Sequence, residues 1–134
     1  MSISTEAKTF LDSLGTLGTI TIGFMPATPN AIGTIFEYGG QSPERAFGVS
    51  GIKYEKPAFQ LVFRGDPFDY SGPRAKAEIA YRAFASVQPG ALCNGVSTIY
   101  LQVDPQQSPH PTEPIDKNNR HNIGINFYTT KELS

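Results

Sequence analysis

The chain has 134 residues, with eleven basic against twelve acidic side chains for a formal charge of −1, two histidines, one cysteine and no tryptophan. That length supports one compact core burying ~65–70% of the surface the unfolded chain exposes, and 13 glycines with 11 prolines predict short elements and many turns rather than a helical bundle. Lys and Arg form no basic stripe, which argues against tight binding of a phosphate backbone. The lone Cys93 excludes an internal disulfide and a four-thiolate zinc site.

The N-terminus carries Glu6 and Lys8 before any apolar stretch, so no secretory leader is expected. "STEAKTFLDSLG" predicts a helix capped by Ser4 and closed by Gly15, with Ala7, Phe10, Leu11 and Leu14 on its buried face. "TITIGF" alternates as a half-buried strand, with Ile20, Ile22 and Phe24 on one side. It is the longest apolar candidate, and it falls far short of the roughly 20 residues of a membrane span. Pro26 and Pro29 then set a turn into "AIGTIFEY", a strand with Ile32, Thr34, Phe36 and Tyr38 on one face.

Gly39–Gly40 releases the chain into a polar connection expected to run to Pro57, and "AFQLVFR" follows as a strand with Phe59, Leu61 and Phe63 opposite Gln60, Val62 and Arg64. "SGPRAKAEIAYRAFASV" is the clearest helix. Ser71 is its expected cap, Pro73 lies near its first position, and Ala77, Ala80, Phe84 and Val87 form its buried stripe. After the Asn94-Gly95 turn signal, "VSTIYLQV" and "NIGINFYT" read as two more strands, with Ile99, Leu101 and Val103 answering Ile123, Ile125 and Phe127. The stretch between them, Asp104 to Asn122, is rich in proline and poor in apolar residues and is expected to project from the sheet. The expected fold is a single α+β domain over residues 1–134, one mostly antiparallel sheet of about five strands packed with two helices and bearing long loops.

Signatures of chemistry are absent. "GTLGTITIG" lacks the Lys-Ser/Thr and the strand-to-helix setting of a phosphate loop, no serine sits in a nucleophile elbow, and Cys93 has no motif base. His110 and His121 flank Glu113 and Asp116, but their spacing matches no rigid ligand scaffold. "RGDPFDY" contains an Arg64-Gly65-Asp66 adhesion tripeptide and an Asp66/Asp69 pair. Turn chemistry and helix-dipole complementarity account for both. No catalytic, cofactor or metal residues are expected.

The order of "GTLGTITIGFMPATPNAIGTIFEYGG", "YEKPAFQLVFRG", "DYSGPRAKAEIAYRAF" and "NFYTTKE" resembles the minor capsid protein family of long-tailed bacteriophages, of the tail terminator (head-tail joining or tail completion) type. The P-x-T-P turn leading to the E-Y-G-G strand end is its most specific piece. Asn30 stands where the resemblance leads one to expect Asp, and the Asp104 to Asn122 segment is longer and richer in proline than the pattern. The resemblance implies a virion protein at the head-tail junction, assembled in the host cytoplasm. It would form a homo-oligomeric ring, a hexamer, that caps the tail tube protein and meets neck or connector proteins, while genome DNA passes through the lumen without specific binding. It implies no enzyme activity, cofactor or membrane. Candidate docking residues lie on the two long loops: Gln41, Glu44, Arg45 and Lys53 on the first, and Glu113, Asp116, Lys117 and Arg120 on the second. The alternatives are another neck or head completion protein, or a small ligand-binding domain or enzyme whose cleft is lined by Glu44, Arg45, Lys53 and Tyr54.

Overall fold

The computed structural model describes residues 3–44, 54–85, 99–105, 108–111 and 118–132. Its elements are α1 (Ile3–Leu14), β1 (Ile20–Ile22), β2 (Ile32–Glu44), β3 (Tyr54–Arg64), α2 (Ser71–Ala85), β4 (Ile99–Pro105), β5 (His110–Pro111) and β6 (Asn122–Glu132). The sheet runs β1-β2-β3-β6-β4, and the two-residue β5 also pairs with β6. Every pairing is antiparallel except that of β1, which lies parallel to β2. The α+β architecture with two helices and a mostly antiparallel sheet is the one the sequence predicts.

Alternation builds the core. Phe63 stands opposite Ile123, Leu61 opposite Ile125 and Phe59 opposite Phe127, and Ile35 of β2 joins the row beside Leu61. All seven side chains are fully buried, and fully burying a side chain of this kind contributes ~1.5–3 kcal/mol. Both helices cover this side. Ala7 and Leu11 of α1 and Ala77, Ala80 and Phe84 of α2 reach the same cluster, with Phe10 and Leu14 packed against it. Phe84 is the joint between layers, its ring 4.8 Å from Phe10, 5.5 Å from Phe59 and 4.9 Å from Phe127. Val87, predicted on the same stripe, lies outside the described residues.

Several local expectations change. The run from Thr19 to Phe24 keeps only three strand residues, because Gly23 turns the chain at φ +86° and leaves Phe24 65% exposed. Where it is described, at 39–44 and 54–57, the expected loop from Gly39 to Pro57 is strand. β2 continues to Glu44 and β3 begins at Tyr54, paired through Gln41↔Lys56 and Glu44↔Tyr54 with register shifts that absorb the glycines. β4 lies beside Phe127 to Glu132, with Val103 opposite Thr129 and Pro105 opposite Phe127, so Ile123 and Ile125 answer β3 instead.

The cap of α2 is Asp69 rather than Ser71: its carboxylate accepts from the Gly72 N–H at 3.0 Å and from the Ser71 hydroxyl at 3.3 Å. Gly15 closes α1 as expected, at φ +71° with its N–H donating to the Asp12 carbonyl. Ser4, expected as the α1 cap, lies in the first turn, and its side chain is outside the described residues.

Candidate functional site

A parallel β1–β2 pair demands that the chain leaving Ile22 return to the level of Ile20, because Ile20 is paired with Gly33 and Ile22 with Ile35. Residues 23–31 make that return without a helix. At Gly33 any β-carbon would lie 2.7 Å from Phe63 Cε1 and 2.8 Å from Ile20 Cδ1, so only glycine lets the two strands approach over this core. The hydroxyl of Thr21 bridges to the hydroxyl of Thr34 at 2.8 Å and donates to the Phe24 carbonyl at 2.9 Å, which fixes the start of the crossover.

Its path is fixed by Arg64. Ile32, Arg64 and Asn122 are paired across three strands on the face away from the helices, and the Arg64 guanidinium reaches from there to the crossover backbone. Nη2 donates to the Pro26 carbonyl at 2.6 Å and the Pro29 carbonyl at 2.8 Å, and Nε donates to the Asn30 carbonyl at 3.0 Å. Arg120 completes the clamp from another loop, its Nη1 donating to the Ala27 carbonyl at 3.0 Å and to Asn30 Oδ1 at 3.3 Å. Arg64 is 5% exposed and Arg120 6%, whereas Ala27, Thr28, Pro29 and Asn30 face solvent. The turn therefore presents Ala27, Thr28 and Pro29 outward, while four of its carbonyls and the Asn30 side-chain oxygen meet the two guanidinium groups. The Thr28–Pro29 peptide within it is cis.

Two further turns meet at this end of the sheet. Phe68, at φ +64°, donates its N–H to the Asn119 carbonyl at 2.7 Å, and Gly65 donates to the His121 carbonyl at 3.2 Å. The His121 ring meets Tyr70 edge to face at 5.3 Å. One segment on, Arg74 of α2 donates to the Pro109 carbonyl at 2.6 Å and pairs with Glu78 at 3.3 Å. The stretch between β4 and β6, expected to project from the sheet, is thus tied down where it is described. Pro109 is buried, His110 and Pro111 pair with Gly124 and Ile123, and Asn122 is buried. Its composition is that of a loop, but β6 has an open edge beyond Pro105, and β5 fills it.

Of the candidate docking residues, Gln41 and Glu44 sit in the β2–β3 hairpin, at the opposite end of the sheet from the three turns. Arg120 is brought to the clamp instead and is buried there, not displayed. Arg45, Lys53, Glu113, Asp116 and Lys117 lie outside the described residues. Glu44 and Tyr54, proposed to line a cleft, are backbone partners in the hairpin. Arg64 carries the largest share of the clamp and its role was not legible from spacing, since its acceptors lie 34 to 38 positions away. Its burial also removes the adhesion reading of Arg64-Gly65-Asp66, and Asp69 is occupied as the helix cap.

The rest of the chemistry is modest. His110 Nδ1 lies 3.1 Å from the Ser108 carbonyl, and among the described residues no three His, Cys, Asp or Glu side chains gather where they could hold a metal. No helix among them is long and apolar enough to cross a membrane. On the face away from the helices, Tyr38 and Tyr128 lie with ring centres 6.4 Å apart, flanking Ala58. Partial burial, and secondarily the neighbouring Tyr128, push the Tyr38 phenol above its ordinary value.

No protein-family model and no curated protein matches the sequence. Among solved structures, a chain from the virion of a native gene transfer agent (GTA) particle superposes with a TM-score of 0.70 at 11% identity, over 98% of this chain and 96% of that one. The likeness is one of fold, and it extends over nearly the full length of both chains.

Proposed function

We propose that this chain is a structural protein of a phage-type virion, and more closely a ring-forming subunit that caps the tail tube, ends its polymerisation and joins the tail to the neck. The observation that carries the reading is the end-to-end match of fold with a gene transfer agent virion chain. The sequence resemblance to tail terminators, which covers most of the same residues, favours the finer assignment. In this reading the protein catalyses nothing and binds no cofactor, and genome DNA passes it ungripped by a surface of net charge −1. The exposed crossover turn at one end of the sheet and the β2–β3 hairpin at the other supply two separate contact regions for tube and neck.

Negative-stain imaging and light scattering of the purified chain, alone and with tail tube protein, test the proposal. Rings, or discs seated on tube ends with tube length held finite, are the expected result. A chain that stays monomeric and leaves tube growth unchanged overturns it. An antibody label that falls elsewhere on the particle, away from the head-tail junction, would keep the virion assignment and replace the capping role.

A further inference from the structure

We propose that Arg120 makes the Pro26–Asn30 turn and the Asn118–His121 turn one conformational unit, so that holding or loosening either turn holds or loosens the other. The inference stands apart from the virion reading and needs only the clamp. Three observations carry it. Arg120 reaches acceptors 93 and 90 positions away in the chain, on a turn to which its own loop has no sequence connection. Its loop is in turn fastened by its carbonyls to the turn after β3, through the Phe68 and Gly65 amides. The guanidinium is nearly fully buried, whereas the turns it joins are exposed at Ala27 to Asn30 and at Asn118 and Asn119.

Exposed turns ordinarily open locally, each at its own free energy. Here opening the crossover turn takes from a buried cation the Ala27 and Asn30 acceptors, and hydrogen bonds to charged groups are the costly ones to leave unmade. The opened state is therefore resisted at both turns, and the coupling is reciprocal by linkage. A macromolecule that grips the outer surface of one turn orders the other without touching it, which gives the end of the sheet two latched arrangements, both closed or both open.

Amide hydrogen exchange in the full chain reads this out. The Phe68 amide reports the Asn118–His121 turn, the Gly23 amide, bonded to the Ile35 carbonyl, reports the crossover, and the Leu61 amide within β3 is the core control. Pro29→Gly, at an exposed position, frees the backbone of the crossover turn. It should speed Phe68 exchange about threefold or more in the wild-type background and leave it unchanged in an Arg120→Gln background. Arg120→Gln alone should speed both Gly23 and Phe68 and spare Leu61. If Arg120→Gln prevents folding, Arg120→Lys, which keeps the charge but falls short of the Ala27 and Asn30 acceptors that Nη1 reaches, takes its place. The proposal is overturned if Pro29→Gly speeds Gly23 only, or if it acts on Phe68 equally in both backgrounds.

Discussion

Replacing Phe84 by alanine removes the ring that joins α1, α2 and the sheet. Large-to-small changes of a buried Phe cost about 3–5 kcal/mol, the spread reflecting how far the site collapses. Here collapse is limited on two sides, because Phe59 and Phe127 stand on paired central strands and are fully buried, while only Phe10, on the half-buried side of α1, has room to move. Loss of three ring contacts at 4.8–5.5 Å adds to the transfer term, since such pairs contribute ~0.5–1.5 kcal/mol beyond area. The expected loss is therefore in the upper half of the range, about 4–5 kcal/mol, out of a total of about 5–15 kcal/mol for a domain. In urea, with a slope of about 2 kcal/mol/M, the midpoint should fall by about 2 M. Far-UV circular dichroism across a urea series measures it, with Ile79→Ala on the exposed side of α2 as the control. Ile79 is 43% exposed, and its substitution should stay within about 0.5 kcal/mol. A Phe84→Ala loss under about 2 kcal/mol at unchanged slope, or an Ile79→Ala loss of equal size, would refute the claim that Phe84 is the joint.

Asp69→Ala removes the acceptor of the Gly72 amide and should destabilise the protein by about 1 kcal/mol, with Asp69→Asn retaining most of the wild-type stability in the same denaturation assay. The raised pKa of Tyr38 gives a pH signature. Its phenol holds a proton in the folded state that the unfolded state has released, so stability is intact below the unfolded value near 10 and declines as pH rises through and above it. Comparing denaturation midpoints at pH 9 and pH 11, Tyr38→Phe should lose less stability than wild type across that interval, and an identical loss in the two proteins would contradict the assigned burial.

Periodicity reveals what periodicity encodes. Ala77, Ala80 and Phe84 at helical spacing, and Phe59, Leu61 and Phe63 at every second residue, identify their buried faces directly, since side-chain direction follows from backbone geometry alone. The same logic fails for β1, because Thr19 to Ile22 alternates identically whether its neighbour runs parallel or antiparallel. It fails again for Asp104 to Asn122, where proline content describes the solvated chain but not the edge of β6 that it covers. The clamp is the extreme case. Arg64 and Arg120 bond mostly to main-chain carbonyls, which every residue has, so no pattern of residue types marks the acceptors. The expected loop surface at Arg120 gives way to burial for the same reason.

The position of β6 has a kinetic consequence. β6 follows both β3 and β4 in sequence yet lies between them, so neither of those strands can complete its pairing until residues 122–132 arrive. Contacts of such long sequence separation slow folding, because the chain loses its freedom before the pairing rewards it. Until then the nascent sheet has an unpaired border along Phe59 to Phe63 and β4 lacks its partner strand, and each is a template for a neighbouring copy. A chain cut before Asn122 would keep both open, and its characteristic fate is aggregation rather than a smaller fold.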